Sequence, residues 1–288
     1  MKIKFWGTRG SIPVPGEKTI KYGGNTPCIQ ISGDNNFLIV DAGTGIKELG
    51  KKIIDAGHPK EINILITHSH WDHIQGLPFF APLFDENCKI NIFSNKISSE
   101  GSDPILDHLL NPEFFPVNRS DLKAEVSFFQ IGVKKPIFIE EFKITAMNVH
   151  HLNKALAFKI ESKAGSVVYM PDNEIYAAPE DGEILAENVR NQNSDLIDFC
   201  KNADYLIHDC MYFLTDSMRK RGWGHSDNIS LSLFAILCKI KNLVLFHYEP
   251  DYTDSDIDAM FAETKKIITQ KKSSANVIAA KELLELSF

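Results

Sequence analysis

The sequence predicts a layered α/β fold in which sheets pack together and helices cover them. Two observations support this class. Short apolar segments typical of strands fill the first half of the chain, and segments with helical spacing become more frequent towards the end, where they alternate with further strands. The sequence shows no internal repeat, low-complexity stretch or linker. We therefore predict a single domain that spans residues 1–288.

Each predicted strand is a short apolar run bounded by polar or turn residues. The predicted strands are Ile3–Trp6, Cys28–Ser32, Phe37–Val40, Ile62–Ile66, Ile90–Phe93, Val126–Ile131, Ile137–Met147, Leu156–Ser162, Ser166–Met170, Tyr205–His208, Leu243–His247 and Asn276–Ala279. The last three alternate with helical segments, as an α/β arrangement requires.

Three segments have the apolar spacing of a helix, at residues 43–57, 228–239 and 255–270. The first of them ends at a glycine, which is a common helix stop. Residues 95–120 differ from the rest, because they are polar, rich in proline and asparagine, and only weakly periodic. We predict an inserted loop or short-helix excursion there.

Composition limits the class of protein. With 43% hydrophobic and 24% charged residues, the chain suits a globular protein with a large core. Its net charge of −7 should repel a long polyanion, unless lysines gather on one face. A general nucleic-acid binder is therefore disfavoured.

The cysteines and the N-terminus indicate the compartment. The five cysteines are scattered and form no Cys-x-x-Cys pair, so we expect ordinary buried thiols. The N-terminus, MKIKFWGTRG, lacks the apolar segment that directs secretion, and no run approaches membrane-spanning length. We predict a reduced cytoplasmic protein without a membrane partner.

Residues 67–76 read THSHWDHIQG and directly follow an apolar strand. A turn from strand to helix can direct His68 and His70 one way and Asp72 and His73 another. Imidazole and carboxylate are good ligands for zinc and similar divalent metals, so one loop can serve a two-metal site. A solvated histidine-rich loop is the alternative, but packing alone seldom places four such side chains within six residues.

This stretch resembles the His-x-His-x-Asp-His signature of the metallo-β-lactamase superfamily. The resemblance extends to the segment LIVDAG, where Asp41 and Gly43 match the family's strand ending in Asp-x-Gly. It implies a four-layered αββα sandwich. It also implies that Asp41 hydrogen-bonds to the metal ligands and holds them in place, without binding metal itself. Taken alone, Asp41 could equally be a turn residue.

The same resemblance implies further ligands at later strand ends. They are His151, with His150 as the alternative, Asp172 in VVYMPDNE and His247 in LVLFHYEP. The implied set is His68, His70 and His151 for one metal, Asp72, His73 and His247 for the other, and Asp172 bridging both. Two divalent ions are expected, with zinc first and manganese or iron as alternatives. Two such metals supply a hydroxide near neutral pH and polarise the substrate.

The carboxy-terminal third looks like the ribonuclease Z-like branch of the family, through LIHDCMYFLTD, GWGHSD and LVLFHYEP. By this resemblance His225 contacts the phosphate and protonates the leaving oxygen, while Asp72 accepts a proton besides binding metal. His208 and Asp209 would orient His225 or shape the pocket, although His208 could simply cap its strand. The chain departs from the branch in reading His-Asp-Cys, and in having Asp227 where a threonine is usual.

These features predict a metal-dependent phosphodiesterase acting on cyclic nucleotides or other small phosphodiesters. Transfer-RNA 3′ processing by the same chemistry is the alternative, ranked second because of the acidic charge and the missing glycine- and proline-rich arm. Thioester or lactone hydrolysis ranks third, because it leaves His225 without a task. The N-terminal segments FWGTRGSIPVPG and YGGNTPC resemble small-substrate members, whose glycines let backbone amides approach an anion. A plain turn explains these glycines equally well.

Two further expectations concern partners. Related proteins often dimerise so that a neighbouring loop closes the pocket, which implies a homodimer with residues 95–120 as the candidate loop. Aromatic residues near both motifs could stack on a base, although most are expected in the core. They are Phe79, Phe80, Phe84, Tyr212, Phe213 and Trp223.

Overall fold

The computed structural model describes residues 1–57, 61–95, 104–177 and 184–288. The chain forms two compact units. Unit 1 comprises Met1–Pro15, Gly23–Gly132 and Lys281–Ser287, and unit 2 comprises Gly16–Tyr22, Val133–Ala280 and Phe288.

The strands are numbered along the chain. They are β1 (Lys2–Gly7), β2 (Cys28–Ser32), β3 (Phe37–Val40), β4 (Glu61–Leu65), β5 (Lys89–Ser94), β6 (Glu125–Gln130), β7 (Ile137–Ile139), β8 (Phe142–Asn148), β9 (Leu156–Ser162), β10 (Gly165–Met170), β11 (Tyr205–Asp209), β12 (Asn242–Phe246), β13 (Asn276–Ala279) and β14 (Glu285–Ser287). The helices are α1 (Ile46–Asp55), α2 (Trp71–Ile74), α3 (Pro104–Leu109), α4 (Ala186–Gln192), α5 (Ser194–Cys200), α6 (Leu214–Ser217), α7 (Asn228–Cys238) and α8 (Asp254–Gln270). Short 3₁₀ turns lie at Glu17–Thr19, Leu77–Phe79, Ala81–Phe84, Arg119–Asp121 and Leu152–Lys154.

Unit 1 contains a mixed sheet in the order β14-β1-β2-β3-β4-β5-β6. Strands β3 to β6 run parallel, whereas the remaining neighbours are antiparallel. Helix α1 buries Ile46, Leu49 and Ile53 in the core that covers this sheet. Because β3 and β4 are parallel, their carboxyl ends meet at one edge, which is where α/β sheets usually bind ligands.

Unit 2 contains a second mixed sheet, in the order β13-β12-β11-β10-β9-β8-β7. Strands β10 to β13 are parallel and β7 to β10 antiparallel. Its core includes Leu196 of α5, Phe234 of α7 and Met260 of α8. The carboxyl ends of β10, β11 and β12 again share one edge of the sheet. Polar residues lie at these strand ends or directly after them.

Three details differ from or extend the sequence-based picture. The predicted strand 137–147 is two strands, β7 and β8, because a turn with Glu140 at a φ of 50° reverses the chain. Within the predicted insertion, residues 96–103 lie outside the described residues, but Ile105, Leu106 and Leu110 are buried in the core of unit 1. Helices α4 and α5 were not predicted.

The cysteines meet the expectation from the sequence. All five cysteines are free and buried. Burial raises the pKa of the Cys28, Cys210 and Cys238 thiols well above the usual range, so these are structural rather than reactive groups. Among the described helices, none is long and apolar enough to cross a membrane.

Candidate metal centre

The histidine-rich loop in unit 1 connects β4 to α2. The predicted turn from strand to helix is present, with His68 and His70 before the helix and Asp72 and His73 in its first turn. His68, Asp72 and His73 are buried, whereas His70 is partly exposed. One ligand atom of His68 and one of His70 lie within 4.8 Å of each other, as do one of Asp72 and one of His73.

Asp41 lies behind this loop and is fully buried directly after β3. Its Oδ2 accepts a hydrogen bond from His73 Nδ1 at 2.7 Å, and its Oδ1 accepts from the Thr67 amide and hydroxyl at 2.9 Å each. The Thr67 hydroxyl oxygen is in turn 3.1 Å from His68 Nδ1. Through these bonds Asp41 sets both histidines in the tautomer whose Nε2 has a lone pair, as second partners of metal-binding histidines do.

Backbone geometry explains two residues of the Asp-x-Gly segment, Asp41 and Gly43. Asp41 has a φ of 60°, a left-handed conformation that aspartate tolerates better than most residues. A Cβ added at Gly43 would lie 2.3 Å from the backbone oxygen of Asp72, so only glycine allows this close approach. The backbone amide of Ser11 also donates to Asp72 Oδ2 at 2.8 Å, which fixes the carboxylate.

Asp172 is the centre of the corresponding cluster in unit 2. The Nε2 atoms of three histidines point at its carboxylate: His247 at 3.3 Å from Oδ1, and His151 and His225 at 3.5 and 4.0 Å from Oδ2. These distances exceed those of good hydrogen bonds. Asp172, His225 and His247 each offer an atom within 4.8 Å of the others, and His247 has a φ of 57° directly after β12.

His151 and His150 have different surroundings. His151 Nδ1 donates to the Gly224 carbonyl at 2.9 Å, which leaves Nε2 towards Asp172. Burial lowers the pKa of His151, although Asp172 acts in the opposite direction. The ring of His150 instead stacks on Tyr176 at 4.1 Å. Of His150 and His151, therefore, His151 is the one placed beside Asp172.

The chemistry of these donors fits a divalent cation. In unit 1 His73 Nε2 lies 3.4 Å from Asp72 Oδ2, and in unit 2 His151 Nε2 lies 3.5 Å from Asp172 Oδ2. In both pairs the Nδ1 proton is used elsewhere, so a lone pair faces a carboxylate oxygen in the neutral tautomer. Two acceptors at this distance repel each other unless a cation binds both.

Asp209, at the end of β11, contacts the loop that contains His225. Its Oδ2 accepts from His225 Nδ1 at 3.1 Å and from the Ser226 amide at 3.0 Å. His208 is fully buried; its Nδ1 lies 2.8 Å from the Asp209 carbonyl oxygen and 2.9 Å from Asp209 Oδ1, and its Nε2 lies 3.1 Å from the Asn173 amide nitrogen. Asp209 thus orients His225, and His208 contacts both Asp209 and the loop after β10.

Asp227, the departure from the usual threonine, is the N-cap of α7. Its Oδ1 accepts from the amides of Ile229 and Ser230 at 2.9 and 2.8 Å, and its Oδ2 accepts from the Ser230 hydroxyl at 2.7 Å. Burial raises the pKa of this carboxyl group. Since helix capping engages both of its oxygens, Asp227 stabilises α7 rather than extending the proton relay.

Sequence reasoning missed Glu174. Its Oε2 accepts from the amides of Gly222 and Gly224 at 2.9 and 3.0 Å, and Gly224 in turn binds His151 through its carbonyl. An acid two residues after Asp172 and a Gly-Trp-Gly-His segment were the available signals. Neither reveals the pairing, because the partners are about fifty residues apart.

The N-terminal glycines serve packing inside unit 1. The amides of Thr8 and Arg9 both donate to the Asn25 carbonyl, at 2.8 and 2.9 Å. A Cβ added at Gly7 would lie 1.9 Å from the Thr26 oxygen. These two amides therefore bind a neighbouring loop of the protein. For this part of the segment, the glycine serves a turn, which was the alternative to anion binding.

Asp41→Asn is expected to lower metal affinity by about 10- to 100-fold without unfolding the protein. If the Asn oxygen keeps its bond to the Thr67 amide, the NH₂ faces His73 Nδ1, which is also a donor in the native protein, so His73 must change tautomer and lose its Nε2 lone pair. Metal retained after dialysis against a weak chelator measures this. Asp55→Asn, at an exposed position ending α1, is the control. Equal metal retention in both variants would contradict the role of Asp41.

Comparisons with known proteins agree with the fold and the signature. The sequence profile described as a beta-lactamase superfamily domain matches residues 36–248. A ribonuclease Z from Picrophilus torridus is 25% identical over 309 residues, covering 96% of this chain and 94% of that protein. Among solved structures, the metallo-beta-lactamase fold protein YhfI from Bacillus subtilis has a TM-score of 0.72 at 18% identity, covering 100% of this chain and 99% of that one. The short form of human tRNase Z has a TM-score of 0.65 at 19% identity, covering 100% and 99%.

The profile match covers well over half of the sequence, and the curated relatives match nearly the whole of it. The structural similarity over the full chain confirms the predicted αββα fold class. The chain therefore belongs to the metallo-β-lactamase superfamily, in its ribonuclease Z-like branch.

Proposed function

We propose that this metallo-β-lactamase-fold hydrolase is a phosphodiesterase dependent on two divalent metal ions. The proposed ligands are His68, His70 and His151 for one metal, Asp72, His73 and His247 for the other, and Asp172 bridging both. The donor chemistry of each cluster supports this set, since imidazole lone pairs and carboxylate oxygens converge in unit 1 and again in unit 2. Zinc is the first candidate, and manganese or iron would suit the same donors.

The observation that favours a phosphodiester over a carbonyl substrate is the His225–Asp209 pair. Asp209 holds the Nδ1 proton of His225, so Nε2 is directed to the side where Asp172 lies, 4.0 Å away. A histidine oriented by a carboxylate in this way is a suitable general acid. A thioester needs no such acid, because a thiolate leaves without a proton, and this keeps thioester hydrolysis in third place.

Three residues of this chain would have separate roles in the reaction: His225, Asp209 and Asp72. The metals, when bound, supply a nucleophilic hydroxide near neutral pH and neutralise phosphate charge. His225 donates a proton from Nε2 to the departing oxygen, and Asp209 stabilises the imidazolium form before that transfer. Asp72 is held by the Ser11 amide and can accept a proton from the attacking side.

The relatives change the order of the proposed substrates. Sequence reasoning ranked small phosphodiesters first, whereas the curated relatives that match nearly the whole chain are named ribonuclease Z. We therefore place RNA 3′ processing first. Cyclic nucleotides and other small phosphodiesters are the second candidate, favoured by the net charge of −7.

A substrate panel tests the proposal. The metal-loaded protein and its Asp172→Ala variant are compared on 3′-extended transfer RNA, cyclic mononucleotides, bis-para-nitrophenyl phosphate and a thioester. Cleavage of transfer RNA that weakens steeply with salt supports the first candidate. Cleavage of cyclic nucleotides alone supports the second, and turnover of the thioester alone refutes phosphodiester chemistry.

A further inference from the structure

Unit 1 contains an aromatic cavity of about 670 Å³ beside the histidine-rich loop. Its volume lies within the usual range of small-molecule pockets. His68, one of the proposed metal ligands, forms part of its wall, together with Trp71 from α2 and Phe79 from the following turn. Phe114 and Phe115 come from the second half of the 95–120 segment.

Three of the aromatic side chains that line the cavity are largely exposed. Trp71 is 78% exposed, Phe79 56% and Phe114 77%, although large apolar side chains near a sheet are usually buried. Phe79 and Phe115 meet edge to face, with ring centroids 5.3 Å apart and planes at 84°. This contact fixes the Phe79 ring before any ligand binds, which reduces the entropy that binding must overcome.

The lining also indicates the charge of the ligand. Among the described lining residues there is no Lys, Arg, Asp or Glu, so the cavity suits an uncharged group. Gln75, Ser69 and Asn95 add amide and hydroxyl groups that can bond to the edge of a heterocycle. A planar, neutral ring with polar edges fits this combination better than a purely apolar chain does.

We infer that this cavity binds a nucleobase of the substrate, stacked on Phe79, Phe114 and Trp71. This rests on the proposed phosphodiesterase function, because His68 in the cavity wall would place the attached phosphate next to the metals. Stacking on aromatic side chains tolerates all four bases, so the site would favour nucleotides without selecting a sequence.

Isothermal titration calorimetry of the metal-loaded full chain tests the inference, with adenosine 5′-monophosphate and ribose 5-phosphate as titrants. The two share the phosphate and the sugar, so the ratio of their dissociation constants isolates the base. We expect adenosine monophosphate to bind at least about tenfold more tightly. Equal affinities in the wild-type protein would overturn the inference, whatever the variants do.

Substitutions in the cavity test whether the preference for adenosine monophosphate arises there. Phe79→Ala and Phe114→Ala should each reduce the ratio severalfold, whereas Phe79→Tyr, which retains a stacking face, should preserve it. Phe138→Ala is the matched control, because Phe138 is 73% exposed on β7 of unit 2. If Phe79→Ala and Phe114→Ala together keep the full ratio, the base binds elsewhere and the inference fails.

Turnover of phosphodiesters separates this inference from the proposed function. A base preference without any phosphodiester cleavage would refute the phosphodiesterase proposal and leave the nucleobase site standing. Cleavage of phosphodiesters without a base preference would support the phosphodiesterase proposal and refute the nucleobase site.

Discussion

His225→Ala is expected to reduce turnover of RNA or alkyl phosphodiesters by about 10²- to 10⁴-fold while metal content stays unchanged. The reason is that an alkoxide is a poor leaving group and needs the proton from His225 Nε2. That nitrogen is directed by Asp209, whose Oδ2 lies 3.1 Å from His225 Nδ1. The measurement is kcat on each substrate, with metal content determined on the same preparations.

The choice of leaving group is the control for this prediction. A para-nitrophenolate leaves without a proton, so the His225→Ala loss on bis-para-nitrophenyl phosphate should be much smaller than on an alkyl ester. Asp209→Asn should give the same pattern in weaker form, because it disturbs the orientation of the ring and not its presence. An equal loss on both substrates, or a loss of metal, would mean that His225 positions phosphate or binds metal instead of donating a proton.

Much of the fold is readable because its strands are short apolar runs between turn residues. The predicted bounds of β2, β3 and β9 agree with the structure, since a glycine follows each of these strands within three residues and marks the turn. Residues 137–147 were read as one strand because apolar residues lie on both sides of Glu140 and Glu141, and no glycine, proline or asparagine marks the turn between them. The helix at 194–200 was missed because it has only seven residues, three of which are polar.

Part of the candidate site could likewise be predicted from the sequence, and part could not. The metal signature is local, so the positions of His68, His70, Asp72 and His73 could be named from ten consecutive residues. The bonds that orient such side chains join distant segments and leave no local pattern. Glu174 binding the Gly222–Gly224 loop is one example, and Asp41 reaching Thr67 is another. The complete set of metal ligands stays a prediction, which metal analysis of the single variants can test.

Gly224→Ala is expected to cost most of the metal affinity by displacing one histidine. A Cβ at this position would lie 2.1 Å from His151 Nδ1, and the nitrogen cannot move without losing its bond to the Gly224 carbonyl. We expect metal affinity to fall by at least about tenfold, and turnover with it. Metal retained after dialysis against a chelator, measured beside thermal unfolding, gives the result.

Gly222→Ala is a matched control within the same loop. Gly222 has a φ of 82° against 85° for Gly224, and the amides of both glycines donate to Glu174, so the backbone strain of an alanine is similar at the two positions, about 1–2 kcal/mol. A Cβ at Gly222, however, would meet nothing within 4 Å. Both variants should therefore unfold at similar temperatures, and only Gly224→Ala should release metal. If both lose metal equally, backbone strain in the loop is the cause, and the contact of Gly224 with His151 does not determine metal binding.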